Sequence, residues 1–359
     1  MTIFPMRLLT GSLFALAAIA TPTSAAVLIG NTSGNNIVEF DEETGDFLGE
    51  FISPFDDFVS PDTLIYGPDG DLYVSSGTTL DTSAVYRFDA DTGALVEQFA
   101  TGGGLFRPYG LAFGPDGLLY VSSFLSDQIL RYDGVTGDFV DVFAERDGSP
   151  EGLNGPNGLL FGPDGGLYVT TQGSVAVNGQ ADFSFGFPSQ VLRYDIATGT
   201  GEVFIPQPEP FPSSFGFVSF LGLATGPDDG DLYVSDFANG LRRYDFDSGE
   251  ELQVFDTNYT GTFPSSNFIG SLAFGLDKDL YTVGFNVDSE VGTLLKFDVS
   301  SGQRTLLANN QPTLQRPIGL IFRPDSSLEP ASVPEPFLPT ALLTVGLGGG
   351  VLSRRRARV

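Results

Sequence analysis

The sequence predicts an all-β protein, and three observations lead to that prediction. First, its 359 residues include 46 glycines and 24 prolines, a density typical of turn-rich β structure. Second, short runs rich in β-branched and aromatic residues alternate with turn residues, without the apolar period of a helix. Third, two kinds of segment each recur six times along the chain, which indicates a repeat architecture.

The first kind of segment reads Leu-x-Phe-Gly-Pro-Asp-Gly-x-Leu-Tyr-Val in its best copies. Its six copies begin at Leu64, Leu111, Leu159, Leu223, Leu272 and Leu320. The second kind opens with an aromatic residue and an aspartate, and a Thr-Gly or Ser-Gly pair follows. Its copies begin at Phe40, Phe88, Tyr132, Tyr194, Tyr244 and Phe297. One longer spacing, between the third and fourth copies, indicates an insertion.

Each repeat predicts four short antiparallel strands. In the second repeat, Pro115-Asp116-Gly117 suits a tight hairpin, because proline presets φ and glycine accepts a positive φ. Residues 118–122 and 129–132 then have the pattern of half-buried strands, and residues 139–143 form an outer strand. Four-stranded units at this spacing are typical of propeller blades.

The number of blades follows from the chain ends. The first copy of the second segment, within residues 27–51, precedes every copy of the first segment, whereas residues 320–325 supply only a first half. These pieces complement each other as one blade. The sequence therefore predicts a six-bladed β-propeller over residues 27–326, closed by N-terminal strands plus the C-terminal strand.

The repeats resemble NHL-type repeats and, more broadly, the six-bladed gluconolactonase/regucalcin-like group. The residues that carry this resemblance are best seen at 108–121 and 156–169, and 232–244 is similar to an NHL strand pair. The resemblance is specific for the fold and says little about activity, because propellers host unrelated functions.

The resemblance implies that chemistry lies at the channel mouth, just before each innermost strand. The aligned residues are Asp62, Tyr109, Asn157, Leu221, Gly270 and Ile318. Enzymes of the gluconolactonase-like group hold a divalent ion there, so calcium is the candidate cofactor. The candidate ligands are Asp62 and Asn157, with Asp236 as a third. A plainer interpretation is that these side chains close turns, as Asp and Asn often do. No catalytic residue is carried over.

Cations also repeat, at one position of the third strand. Arg87, Arg131, Arg193, Arg243 and Lys296 occupy it, and Glu39 stands there in the remaining copy. A ring of cations could bind an anion. Alternatively, each stem packs between blades while its charged head pairs with aspartates of the turns, which is the interpretation we favour.

Two insertions are candidates for function. Residues 171–190 carry three phenylalanines in alternation, and residues 206–220 are rich in proline and phenylalanine. Long propeller loops often carry function. The rings are expected either to form an aromatic rim that stacks on a ligand or to fold over the channel as a lid.

The N-terminal residues 1–26 have the layout of a secretory signal peptide. A single basic residue, Arg7, precedes an apolar run and then small residues, with cleavage expected after Ala25 or Ala26. The run is short for a membrane span, which needs about 20 apolar residues.

The C-terminal residues 333–359 resemble the PEP-CTERM sorting signal of Gram-negative bacteria and cyanobacteria. Residues 327–332 are the expected linker before it. The motif has three parts, a Pro-Glu-Pro element, an apolar run over 337–352 and terminal arginines. The residues that match are Val333, Pro334, Glu335, Pro336, Arg354, Arg355 and Arg356. The resemblance implies processing by an exosortase-type membrane enzyme. A permanent anchor helix is the alternative.

Composition excludes several kinds of chemistry. The chain has no cysteine and no histidine, so disulfides, thiolate sites, Ser-His-Asp triads and imidazole catalysis are absent. Residues 27–333 carry 12 basic and 44 acidic side chains, a net charge of −32, which disfavours nucleic acid as a partner.

Two function classes remain. The favoured one is a non-catalytic binding or scaffold protein, exported across the inner membrane, transiently anchored and then held at the cell surface or in the extracellular matrix. An extracellular polysaccharide or a surface protein is its expected partner. The alternative is a calcium-dependent, lactonase-like hydrolase with Asp62 and Asn157 as metal ligands.

Overall fold

The structure, a computed structural model, describes residues 25–238 and 240–323. These residues form a six-bladed β-propeller of four-stranded antiparallel blades, which confirms the predicted fold class. They include a three-residue 3-10 turn, Phe124–Ser126, and no α-helix. No helix within the described ranges is long and apolar enough to cross a membrane. The predicted signal peptide up to residue 24, the linker and the sorting segment lie outside them.

Strands are numbered along the chain, and each blade runs from the channel outward. Blade one comprises β4 (Leu64–Tyr66), β5 (Leu72–Ser76), β6 (Ala84–Phe88) and β7 (Leu95–Ala100). Blade two comprises β8 (Pro108–Phe113), β9 (Leu118–Ser123), β10 (Gln128–Asp133) and β11 (Phe139–Glu145). Blade three comprises β12 (Pro156–Phe161), β13 (Leu167–Thr171), β16 (Val191–Tyr194) and β17 (Gly201–Ile205), with a separate hairpin of β14 (Val175–Val177) and β15 (Gln180–Asp182).

The remaining blades follow the same order. Blade four comprises β18 (Phe220–Thr225), β19 (Leu232–Asp236), β20 (Gly240–Tyr244) and β21 (Glu251–Asp256). Blade five comprises β22 (Asn267–Phe274), β23 (Leu280–Asn286), β24 (Val291–Phe297) and β25 (Arg304–Gln315). Blade six combines β26 (Pro317–Phe322) with β1 (Ala26–Asn31), β2 (Asn36–Asp41) and β3 (Phe47–Ile52).

Blade six closes the ring as the sequence predicts. The C-terminal strand β26 is innermost and pairs antiparallel with β1, so that Val27 faces Phe322 and Ile29 faces Leu320. Since β1 begins at Ala26, cleavage of the signal peptide after Ala25 leaves this strand whole.

The core lies between neighbouring blades rather than in one centre. Six clusters of buried apolar residues fill the six interfaces, one cluster for each pair of adjacent blades. The tyrosine of the Leu-Tyr-Val element is buried in five of these interfaces, at Tyr73, Tyr120, Tyr168, Tyr233 and Tyr281. The repeated apolar pattern of the sequence is therefore the packing surface of each blade.

The third-strand cations pair with the aspartates of the turns, which confirms the favoured structural interpretation. In blade four, Arg243 contacts Asp231 at 2.6 Å and Asp229 at 3.1 Å. Asp229 also accepts a hydrogen bond of 2.8 Å from the hydroxyl of Tyr233. Cation, aspartate and tyrosine recur in this way in blades one to five. The cations thus stabilise the blades and form no free ring.

Blade six reverses the charges of this pairing. Glu39 occupies the position of the third-strand cation and pairs at 2.7 Å with Arg323. Arg323 takes the place of the glycine that the five earlier copies of this segment have there. The acidic exception therefore keeps the ion pair, with donor and acceptor exchanged.

Glycines allow the innermost strands to approach each other around the channel. A Cβ atom at Gly319 of β26 would overlap the backbone oxygen of Asp62, and one at Gly110 of β8 would overlap that of Asn157. This close approach is the physical reason for the Pro-x-Gly start of the repeat. It also places the first residues of the innermost strands side by side, together with Asp62, which precedes β4.

Candidate functional site

The channel opens into a cavity where the innermost strands begin. Its volume is about 840 Å³. Five of the six aligned positions from the sequence line it, namely Asp62, Tyr109, Asn157, Leu221 and Ile318. Leu221 and Ile318 make part of the wall apolar. The aligned positions of the repeats therefore lie around this cavity.

The two insertions form the outer wall of this cavity. Gln172, Phe183 and Phe187 come from the first insertion, and Gln207 and Phe217 come from the second. The ring of Phe183 is 55% exposed, and that of Phe217 is 41% exposed. These rings therefore line the cavity and remain open to solvent, as expected of an aromatic rim.

Asp62 is the acidic side chain among the described lining residues. It is only 7% exposed, and its carboxylate accepts one long hydrogen bond, 3.4 Å, from the hydroxyl of Thr63. Burial raises its pKa to about 7, against the opposing effects of Arg107, Thr63 and Arg316. The carboxyl group therefore changes its charge near neutral pH.

Arg107 and Arg316 also line the cavity, and the sequence analysis did not identify them. Arg107 donates from Nε to the hydroxyl of Tyr109 at 2.7 Å, and its guanidinium lies 5.5 Å from the centre of that ring. Arg316 lies over the ring of Phe285 and is 3.8 Å from Glu290. Burial raises the pKa of Tyr109, so its hydroxyl stays protonated and accepts this bond.

Both arginines have left-handed backbone conformations, with φ of 54° at Arg107 and 50° at Arg316. Ser60 and Gly155 hold the equivalent positions in other blades, with φ of 53° and 64°. Each of these four residues precedes the proline that starts a repeat. The sequence feature that could have identified the two arginines is therefore their position directly before the proline that starts a repeat.

Asn157 presents a free amide to the cavity. It is 6% exposed, and its side chain has no hydrogen-bond partner among the residues that the structure describes. Its backbone oxygen accepts a hydrogen bond from the hydroxyl of Ser122 in the preceding blade. In the same way, Thr170 donates to the backbone oxygen of Leu221 at 2.5 Å. Neighbouring blades therefore fix the cavity-lining residues in place.

Asp236 is not among the cavity-lining residues. Its Oδ1 atom accepts hydrogen bonds from the backbone amides of Ser219 and Ala238, at 2.9 and 3.1 Å. Ser76 and Ser123 accept a backbone amide from the equivalent loop in their own blades. Asp236 thus fastens the second insertion to β19. Burial raises its pKa to about 6, and its Oδ2 atom has no partner within the described part of the chain.

The structure brings together two of the three predicted metal ligands, Asp62 and Asn157. Within residues 25–238 and 240–323, no three His, Cys, Asp or Glu side chains are grouped as a metal site. Calcium takes about 6–8 oxygen ligands, so a calcium ion here would need amide, backbone and water oxygens beside Asp62. The calcium site stays a prediction.

Comparison with known proteins identifies similar folds but does not assign the chain to a family. No family model matches the chain, and no curated protein matches its sequence. Among solved structures, the nidogen/laminin complex is similar, with a TM-score of 0.57 and 14% identity over 84% of this chain and 98% of that chain. A protein of unknown function from Bacteroides caccae has the same TM-score and identity, over 84% and 100%.

Virginiamycin B lyase from Staphylococcus aureus is also similar, with a TM-score of 0.52 and 18% identity over 84% of this chain and 86% of that chain. A histidine-to-alanine variant of that lyase is described as catalytically inactive. The present chain has no histidine, so it has no counterpart of that residue. At these identities the similarity shows a shared fold and leaves the activity open.

Proposed function

We propose that the protein is a non-catalytic binding protein and that the cavity at the channel end is its ligand site. The observation that carries this proposal is the composition of the cavity wall. Aromatic rings from two insertions surround the buried Asp62 and Asn157 and the half-buried Arg107, whose hydrogen-bonding capacity is largely unused by the described residues. Apolar walls with a few convergent polar groups are typical of ligand sites.

The fold neighbours allow both binding and catalysis, and the residue content favours binding. The nidogen/laminin structure is a protein complex, whereas the lyase is an enzyme. In the present cavity, Asp62 is the titratable group nearest to neutral pH, and no imidazole or thiol accompanies it in the chain. A lactonase-like activity with calcium on Asp62 and Asn157 is the alternative function.

We further propose that the propeller is exported and sorted to the cell surface or matrix. The support is the order of elements at both chain ends, together with an acidic body that stays soluble outside the cell. The expected mature mass lacks the residues after the Pro-Glu-Pro element. An intact mass that retains Arg354 and Arg356 in exosortase-containing cells would contradict the sorting proposal.

Alanine variants of the aromatic rim test the binding proposal. We expect 8-anilinonaphthalene-1-sulfonate to fluoresce on binding the folded body, and Phe183→Ala or Phe217→Ala to weaken this binding about tenfold. An aromatic contact contributes about 0.5–1.5 kcal/mol. Phe139→Ala is the control, because Phe139 is as exposed as Phe217 but lies on the outer strand β11.

Equal affinity in the two rim variants and the control would contradict the binding proposal. A parallel titration with calcium tests the alternative function, the calcium-dependent lactonase-like activity. An ion that binds only the native state stabilises it by about 2.7 kcal/mol at a hundredfold excess over Kd. A rise in melting temperature with calcium that Asp62→Asn abolishes would favour the metal-dependent enzyme instead.

A further inference from the structure

We propose that the ligand is an organic anion, a carboxylate attached to a ring or other apolar body, which pairs with Arg107. This inference rests on the proposed ligand site and names the class of molecule that occupies it. The apolar body would lie against the rim formed by Phe183 and Phe217, which line the same cavity.

The pairing of the cations singles out Arg107. Of the twelve Lys and Arg residues in the described ranges, nine lie within 4.0 Å of a carboxylate. The others are Arg107, Arg146 and Arg304. Arg304 donates to the backbone oxygen of Asp256, and Arg146 donates to Asn154 and lies over Phe187. Arg107 is the member of this group that lines the cavity.

The guanidinium of Arg107 has hydrogen-bond donors that no described residue uses. Only its Nε atom donates to a described residue, the hydroxyl of Tyr109. The two terminal nitrogens remain available, and a guanidinium binds a carboxylate through two parallel hydrogen bonds. In a body that carries 44 acidic side chains, an arginine without a carboxylate partner at a cavity wall fits an acidic ligand.

The backbone conformation of Arg107 and Arg316 also supports a ligand site at this part of the cavity. A left-handed conformation costs a residue with a side chain about 1–2 kcal/mol, and glycine adopts it without that cost. Blade three has Gly155 at this position, whereas blades two and six have Arg107 and Arg316. Strained residues of this kind cluster at ligand sites. The two long cations therefore stand in the cavity at positions that would favour glycine.

A charge series of one ring system tests the inference on the purified protein. Isothermal titration would use 2-naphthoate, neutral 2-naphthalenemethanol and cationic 2-naphthylmethylammonium. We expect the naphthoate to bind at least about tenfold more tightly than the other two. Galacturonate and its trimer are measured in parallel to distinguish a free acid from the acidic unit of a polysaccharide. A site for a polysaccharide should bind the trimer more tightly than the monomer, whereas a site for a free acid should not.

Two variants test the role of Arg107. Arg107→Gln should abolish the preference for naphthoate, whereas Arg304→Gln, at a half-buried cation outside the cavity, should leave it unchanged. A thermal unfolding curve of each variant checks that the fold is retained.

The outcomes distinguish this inference from the proposed function. Equal or tighter binding of the neutral or cationic probe would overturn the anion inference while leaving a ligand site in place. Absence of binding by all three probes would overturn both.

Discussion

Deletion of residues 27–52 should leave no stable monomeric propeller. It removes almost all of β1 and all of β2 and β3, so that blade six keeps β26 alone. Among the deleted residues, Val27, Leu28, Ile29, Ile37, Val38 and Phe40 are buried in the clusters on both sides of blade six. Burial of one such side chain contributes about 1.5–3 kcal/mol. Their sum reaches the 5–15 kcal/mol that stabilises a typical domain.

The remaining chain should unfold or pair through its open edges, as exposed strands do. Size-exclusion chromatography with light scattering and thermal unfolding measures the outcome. The matched control is a circular permutant that joins residue 323 to residue 25 and opens the exposed loop between blades two and three. It keeps every strand and should remain a folded monomer. A stable monomer of the deletion variant would show that the ring closes differently.

Gly319→Ala should destabilise the protein by about 3 kcal/mol, the upper part of the usual range for overpacking. The new methyl group would overlap the backbone oxygen of Asp62 and would contact the side chain of Leu64, at the seam between blades six and one. Backbone cannot move aside as a side-chain tip can. We also expect weaker ligand binding, since Asp62 would be displaced. Urea unfolding measures the change in the free energy of unfolding.

Gly166→Ala is the control for this prediction. A Cβ atom at Gly166 lies 3.1 Å from Nε of Arg193, which is a side-chain atom and can shift more easily than backbone. That substitution should change the free energy of unfolding by less than about 1 kcal/mol. Similar losses of unfolding free energy in both variants would indicate that the close approach of the innermost strands is not the reason for glycine at position 319.

The repeats made most of the fold predictable. Each strand pair follows from turn chemistry and an alternating pattern, and the incomplete copies at the two ends predicted the closure of blade six. Alignment of the repeats also placed Asp62 and Asn157 in the cavity, because equivalent positions of a closed ring meet at one end of the channel. Sequence repeats therefore predict the relative placement of residues that occupy equivalent positions in the blades.

Features that depend on conformation or on distant partners were not predictable in this way. Residue identity does not reveal the left-handed backbone at Arg107 and Arg316, which directs both side chains toward the cavity. The pair of Glu39 and Arg323 joins opposite ends of the chain. Asp236 follows an inner strand in the sequence, and in the structure it accepts hydrogen bonds from backbone amides, as a serine does in other blades.

A crystal structure of the propeller soaked with 2-naphthoate at pH 6 tests the central claim most directly, namely that the channel-end cavity is a ligand site. We predict the carboxylate within about 2.7–3.2 Å of the terminal nitrogens of Arg107, the usual hydrogen-bonding range. The rings should lie against Phe183 or Phe217. Naphthoate bound elsewhere on the propeller, with none in this cavity, would contradict the claim.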